Sequence, residues 1–224
     1  MPSRVFAIAL TTAVLAALPV AARALCTSDG VAPPQAVLER FTSADCADCW
    51  RDPRTATPGA NTIALDWIVP GRQGDNAPLS AVALDEGMER LYTLGQPVPE
   101  RSAVLGSVRS GDAVPLRLAQ GDAVNDYVGT TIELKTPGRE AWHAWLLLVE
   151  TLPAGTEGSP VARNLVRNVF RPDWSQVVGR APGLLAEARA MQIHDGARAE
   201  RLRLVAVLHD ARGRIRAIGR TECR

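Results

Sequence analysis

The sequence predicts an α/β (α+β) fold, with a thioredoxin-like domain over residues 25–110 and a β-rich, antiparallel C-terminal portion over residues 111–224. The first observation behind this prediction is the segment Cys46-Ala47-Asp48-Cys49, which follows an apolar, β-prone run at residues 36–42. Two cysteines separated by two residues just past a strand are typical of a thioredoxin-type redox pair, in which one thiol attacks and the other resolves. The second observation is that the hydrophobic period changes to two after Gly111, as in antiparallel strands.

The elements of the first domain follow from its apolar runs and its prolines. Residues 37–42 and 61–69 predict two buried strands, and the partly unbroken apolar run of the second strand favours a parallel position. We expect only a short helix after the cysteine pair, because Pro53 and Pro58 lie where that helix would continue. Apolar residues that recur near period 3.6 predict an amphipathic helix over residues 79–94.

A short strand at residues 102–106 is preceded by the proline-rich segment Gln96-Pro97-Val98-Pro99-Glu100. Thioredoxin-like folds place a cis-proline before a strand that faces the cysteine pair, and cis peptide bonds are essentially confined to X-Pro. Pro99 is therefore the first candidate for a residue that shapes a substrate groove, and Pro97 the second. The alternative is an ordinary proline-rich turn.

The second half of the chain predicts an antiparallel β unit, either a small sandwich or an elaborated sheet. Its segments alternate or run apolar, and Asp210-Ala211-Arg212-Gly213 has the composition of a hairpin turn. The predicted strands are at residues 114–118, 130–134, 142–149, 201–208 and 214–219.

Residues 1–24 are predicted to be a signal peptide. Arg4 provides the positive start, residues 5–20 are apolar, and Ala22-Arg23-Ala24 fits a small-x-small cleavage site. No later stretch approaches the roughly 20 apolar residues of a spanning helix, so we expect no membrane anchor after cleavage. The abundance of alanine and arginine indicates a bacterial source, and we expect a periplasmic or secreted protein.

The charge balance limits the class of partner. The chain contains 25 Lys and Arg against 24 Asp and Glu, with no basic stripe. Such a balance argues against nucleic acid or an anionic membrane surface as the partner. The expected partners are thiols or disulfides of other exported proteins.

The four cysteines allow three pairings. The natural one joins Cys46 to Cys49 and Cys26 to Cys223, because chain termini often lie close together. Cys26–Cys223 would then be a structural disulfide that closes almost the whole chain, which contributes about 4–5 kcal/mol in the chain-entropy model. An exported protein meets an oxidising compartment, where such disulfides persist.

The sequence also resembles a known family. The run Val37-Leu38-Glu39-Arg40-Phe41-Thr42-Ser43, followed by Cys46-Ala47-Asp48-Cys49, is similar to the entry motif of the secreted bacterial family called domain of unknown function 1223. Arg163-Asn164-Leu165-Val166-Arg167-Asn168-Val169 resembles that family's Asn-x-Val-Arg strand, and the closing hairpin is similar too. The resemblance implies a thioredoxin-like domain with a β-rich C-terminal portion. It implies no particular reaction or substrate.

The cysteine pair supports two functions. In thiol–disulfide exchange Cys46 would attack and Cys49 would resolve, since the thiolate is the nucleophile. Arg51 and Arg54 would favour that thiolate, whereas Asp45 and Asp48 would oppose it. The alternative is a non-enzymatic, protein-binding scaffold in which both disulfides are structural, so whether the chain is an enzyme stays open at this point.

Metal binding is a lesser alternative for the same cysteines. A Cys-x-x-Cys with a histidine suits Cu(I) or Zn(II). The histidines are His143, His194 and His209, and none stands at a motif spacing from the pair. The sequence therefore predicts no metal site and no cofactor.

Overall fold

The structure is a computed structural model that describes residues 26–136, 141–174 and 183–223. The predicted signal peptide lies outside these residues. Within them, strands dominate, and no helix is long and apolar enough to cross a membrane. The strands are β1 (Cys26–Thr27), β2 (Ala36–Ser43), β3 (Thr62–Val69), β4 (Ser102–Val108), β5 (Leu116–Val124), β6 (Tyr127–Thr136), β7 (Trp142–Leu152), β8 (Arg163–Phe170), β9 (Gly183–Gln192), β10 (Leu202–Asp210), β11 (Ile215–Arg220) and β12 (Glu222–Cys223).

The helical elements of the described residues are short. Helix α1 (Ala47–Trp50) is a single turn, and helix α2 (Asp85–Thr93) has nine residues. Four 3₁₀ turns lie in the described loops, at Gly74–Asn76, Ser80–Val82, Thr156–Gly158 and Ala199–Arg201.

The larger sheet has seven strands in the order β11-β10-β7-β8-β3-β2-β4. Strand β3 lies parallel to both of its neighbours, β2 and β8, which confirms the parallel position predicted from its apolar run. The remaining neighbours pair antiparallel. Strands from both sides of residue 110 therefore share one sheet.

The smaller sheet has five antiparallel strands in the order β12-β1-β5-β6-β9. Its strands β1 and β12 pair with Cys26 opposite Cys223, so the two ends of the described chain meet in one sheet. Leu118 and Ile132 of this sheet belong to the same apolar cluster as Leu146 and Leu204 of the larger sheet. This cluster joins the two sheets.

The other side of the larger sheet carries a second cluster that includes Trp67, Trp145 and, from α2, Leu91. A third and smaller cluster includes Ala44 and Trp50, which flank the cysteine pair in the chain. It contains Trp50 of α1, Ile68 of β3 and Leu165 of β8. Because Trp50 is buried there, the chain directly after the pair is anchored to the larger sheet.

The predicted thioredoxin-like α/β class is wrong: the fold is β-rich. Helix α1 ends at Trp50, and residues 51–61 cross to β3 without a helix. The expected helix over 79–94 is also broken, because Ala83 and Leu84 are extended between a 3₁₀ turn and α2. The local pattern of strand, cysteine pair and strand is present, but period-two strands from the second half complete the same sheet.

Candidate functional site

The candidate site is the disulfide between Cys46 and Cys49. The pair follows the carboxyl end of β2, where the backbone N–H of Cys46 donates to the Ser43 carbonyl at 2.9 Å. The N–H of Cys49 donates to the Cys46 carbonyl at 3.0 Å, which closes the turn. Since α1 has only four residues, its dipole gives a thiolate of the pair little stabilisation.

The two cysteines differ in their surroundings. Cys46 is buried, with 7% of its surface exposed, whereas Cys49 is half-buried. Cys49 lines a pocket of about 140 Å³, and Cys46 is not among the residues that line it. The disulfide is therefore more accessible from the side of Cys49 than from the side of Cys46.

Two buried arginines that line this pocket, Arg40 and Arg163, share one buried carboxylate, that of Asp66. Arg40 donates to Asp66 Oδ2 at 2.7 Å, and Arg163 donates to Asp66 Oδ1 at 2.9 Å. All three side chains are at most 3% exposed. Sheet register builds the cluster, because Asp66 of β3 pairs with Arg40 of β2 on one side and with Leu165 of β8 on the other.

The two guanidiniums also hold the loop that follows the cysteine pair. Arg40 Nη1 donates to the Ala56 carbonyl at 2.9 Å, and Arg163 Nη2 donates to the Trp50 carbonyl at 2.7 Å. The Arg163 guanidinium lies 4.5 Å above the Trp50 ring, a cation–π contact. Burial lowers the pKa of Arg163, and the charge of Asp66 acts against that shift.

Asp52 and Arg54 form the exposed rim of the pocket. Their side chains make a two-point ion pair, with distances of 3.0 and 2.9 Å. The hydrogen bond from the Arg54 side chain lowers the pKa of Asp52 to about 2. Asp52 is therefore ionised throughout the ordinary pH range.

The acids expected to oppose a thiolate are directed elsewhere. Asp45 accepts hydrogen bonds from the backbone N–H groups of Arg72 and Gln73, at 2.8 and 3.2 Å. The Asp48 side chain is 89% exposed and lies 3.9 Å from Arg51. Neither acid lines the pocket. The balance of charge around Cys49 is therefore more positive than the sequence indicated.

Pro97 and Pro99, the predicted cis-proline candidates, lie between α2 and β4, and both are preceded by trans peptide bonds. Pro99 does not line the pocket of Cys49; Ser102, Ala103 and Val104 of β4 do. These residues lie there because β4 pairs with the end of β2 from which the cysteine loop leaves.

Sequence reasoning missed the buried cluster of Arg40, Asp66 and Arg163. Arg40 and Asp66 each interrupt an apolar strand, and a charge within a buried run indicates a buried partner. That signal could have identified these two residues. Arg163 lies 97 positions from Asp66, so no local pattern connects them.

The second disulfide joins Cys26 to Cys223, as predicted. Cys26 is 4% exposed, and Cys223 is exposed. Both line a pocket of about 430 Å³ whose charged residues are Asp122, Glu200 and Arg203. The acids outnumber the base here, which is the reverse of the pocket at Cys49.

The histidines do not gather around the cysteine pair. His143 and His209 face each other across β7 and β10, and burial together with the charge of Arg90 lowers the pKa of His209 to about 4. Within the described ranges, no group of three His, Cys, Asp or Glu side chains is placed to hold a metal ion.

Compared with family models, curated proteins and solved structures, the chain matches none. The resemblance to the domain of unknown function 1223 family stays a prediction.

Proposed function

We propose that the chain is an exported protein that exchanges thiols and disulfides through Cys46 and Cys49. The observation that carries this proposal is the placement of Cys49 in a pocket where guanidinium groups outnumber carboxylates. A partner attacks as a thiolate, and positive charge both attracts that thiolate and stabilises the thiolate that leaves.

The exchange is written as two displacements. A partner thiolate attacks Cys49 Sγ, a new S–S bond forms, the Cys46–Cys49 bond breaks, and Cys46 leaves as a thiolate that takes a proton from solvent. A second partner thiolate then attacks the partner sulfur of the mixed disulfide and releases Cys49. The partner gains a disulfide, and the Cys46/Cys49 pair is reduced to a dithiol.

The fold can tolerate this opening. The Cys46–Cys49 disulfide joins residues only three positions apart, so in the chain-entropy model it adds about 2 kcal/mol. The loop after it is held independently by Arg40, Arg163 and the buried Trp50. Reduction therefore leaves the surrounding structure supported.

Export from the cytoplasm is a separate part of the proposal. The chain has two disulfides, which are compatible with an oxidising compartment. The predicted signal peptide at residues 1–24 would direct the chain to export. Cell fractionation should recover the protein outside the cytoplasm, shortened by 24 residues.

The second candidate function is a non-enzymatic scaffold with two static disulfides. The burial of Cys46 and the many contacts that fix the loop at residues 50–56 favour this alternative. It predicts no turnover with any thiol partner.

Reduction of insulin by dithiothreitol, with purified mature protein as catalyst, separates the two functions. We expect the wild type to accelerate the reaction and Cys46→Ser and Cys49→Ser each to abolish the acceleration. The matched control is the Cys26→Ser/Cys223→Ser double variant, which also lacks one disulfide and should stay active if it folds. Equal inactivity of wild type and Cys46→Ser, with wild-type Cys46 and Cys49 resistant to dithiothreitol, would establish the scaffold.

A further inference from the structure

We infer that the pocket beside Cys49 selects thiols that carry a carboxylate close to their sulfur, and that Cys49 is the sulfur which forms the mixed disulfide. This inference rests on the proposed exchange function and names its substrate class. Three features of the pocket carry it: its charge, an unpartnered donor and its size.

The charge of the pocket favours an anion. Arg40, Arg54 and Arg163 line it, and Asp52 is the one carboxylate among the described residues that line it. Asp66 lies beneath and accepts from Arg40 and Arg163, so one carboxylate serves two guanidiniums. The buried cluster thus keeps an excess positive charge, which burial makes costly until an anion approaches.

One of the arginines that line the pocket has a buried donor that lacks an acceptor. Arg40 is 3% exposed, and its Nε has no hydrogen-bond partner among the described residues. Buried polar groups are nearly always paired, and leaving one unpaired is costly. Nε itself is buried, so a carboxylate in the pocket would offset this cost through its charge on the Arg40 guanidinium and not by direct contact with Nε.

The size of the pocket restricts what enters it. A volume of about 140 Å³ is below the 300–1,000 Å³ of pockets that enclose a whole small ligand. It is enough for a short carboxylate-bearing arm, with the rest of the partner outside. The partner is therefore a thiol with a neighbouring carboxylate, either a small thiol acid or a cysteine beside an acidic residue in an exported protein.

The choice of sulfur follows from access. Cys49 lines the pocket, whereas Cys46 is buried and is not among the described residues that line it. A thiolate bound by its carboxylate at the arginines meets Cys49 first, and Cys46 is then the leaving thiolate. This reverses the roles that the order of the two cysteines predicts, in which Cys46 attacks and Cys49 resolves.

The test follows the exchange in reverse: a single free thiol of the protein attacks a disulfide reagent. In Cys46→Ala, the Cys49 thiolate attacks a symmetrical disulfide, one Cys49–S–S bond forms, the reagent's S–S bond breaks, and half of the reagent leaves as a thiolate. The probes are dithiodipropionate (anionic), hydroxyethyl disulfide (neutral) and cystamine (cationic), followed by mass spectrometry of the adduct. We expect the anionic probe to react about tenfold faster than the cationic one at low salt, and less so at high salt.

Three further variants in the Cys46→Ala background locate the effect. Arg54→Gln, which removes the exposed pocket arginine, should reduce the anionic preference, and Asp52→Asn, which removes its carboxylate, should increase it. Arg212→Gln is the matched control, since it removes one exposed arginine from the distant β10–β11 turn. Two peptide disulfides that differ only by Glu or Gln beside cysteine extend the test to protein partners, with the Glu peptide expected to react faster.

The outcomes separate a failure of the inferred selectivity at Cys49 from a failure of the proposed exchange function. Equal rates for the three probes, or a faster reaction of Cys46 in Cys49→Ala than of Cys49 in Cys46→Ala, would overturn the inference while exchange itself stands. If neither single-cysteine variant reacts with any probe while both remain folded, the exchange function fails. If dithiodipropionate reacts preferentially but the Glu and Gln peptides react at equal rates, the partner is a small thiol acid.

Discussion

The two disulfides resemble each other in exposure but differ in what they hold and what surrounds them. Each joins a buried cysteine to a more accessible one, Cys26 to Cys223 and Cys46 to Cys49. The first spans 197 positions and lies across paired strands, whereas the second spans three positions in a turn. Loop length decides how much a disulfide stabilises the fold, and exposure alone does not separate a structural disulfide from an exchangeable one.

Charge provides the second difference. The pocket at the terminal disulfide contains two acids and one arginine, whereas three arginines and one acid line the pocket at Cys49. An attacking thiolate is repelled at the first and attracted at the second. We therefore expect the Cys26–Cys223 bond to be protected from exchange and the Cys46–Cys49 bond to be open to it.

The largest expected effect is on stability, from removal of the terminal disulfide. The Cys26→Ser/Cys223→Ser variant should lose about 5 kcal/mol of unfolding free energy, because the closed loop spans nearly the whole described chain. Urea unfolding followed by circular dichroism measures this. A loss no larger than that of the Cys46→Ser/Cys49→Ser variant would contradict the prediction that the terminal disulfide stabilises the fold more.

The next effect concerns the buried cluster under Cys49. Asp66→Asn should cost about 3–5 kcal/mol, since two buried guanidiniums lose their common carboxylate. Asp52→Asn, in the same pocket but on its exposed rim, should leave the unfolding free energy nearly unchanged. Equal effects of the two substitutions in urea unfolding would show that the cluster is not the support of this region.

Removal of the short disulfide should have a smaller effect on stability. Cys46→Ser/Cys49→Ser should lose about 2 kcal/mol or less, because so short a loop restricts the unfolded chain little. The measurement is the shift of the urea midpoint at constant slope. A loss above that of the terminal variant would mean that the cysteine turn is a structural centre and would favour the scaffold.

The smallest expected effect is that of pH on the anionic preference of Cys49. The pKa of Asp52 is lowered to about 2 and that of Arg54 is raised, so the charge of the rim is constant above about pH 4. Because the pKa of Asp52 is lower in the folded state than its usual 3.8, its ionised form is lost only as the pH falls towards 2. The ratio of anionic to cationic probe rates should be flat from about pH 5 to 7, where the probes also keep their charges. An inflection within that range would assign the preference to another titrating group.

Sequence reasoning succeeded where the determinant was local or forced by the termini. The closing hairpin, the parallel position of β3 and the Cys26–Cys223 pairing are all present. It failed where distant segments combine: β7 and β8 enter the sheet that β2 and β3 begin, which no local pattern indicates. The thioredoxin-like class was assigned from a strand and a cysteine pair, a motif that this β-rich fold also accommodates.

The candidate site shows the same division. The spacing of Cys46 and Cys49 identifies them in the sequence. The charge of the pocket beside Cys49 depends also on Arg163, which belongs to the distant strand β8. Asp45 and Asp48, which seemed to oppose a thiolate, are directed to the loop at residues 71–73 and to solvent. The charged residues that are close to the cysteines in sequence therefore do not determine the charge of the pocket.

The order in which the two disulfides open tests the central contrast most directly. Native protein is treated with glutathione at neutral pH, free thiols are alkylated at intervals, and peptide mapping assigns them. We predict that Cys46 and Cys49 are alkylated first, in protein that keeps its circular dichroism, while Cys26 and Cys223 remain joined. Earlier or simultaneous alkylation of Cys26 and Cys223 would contradict the account.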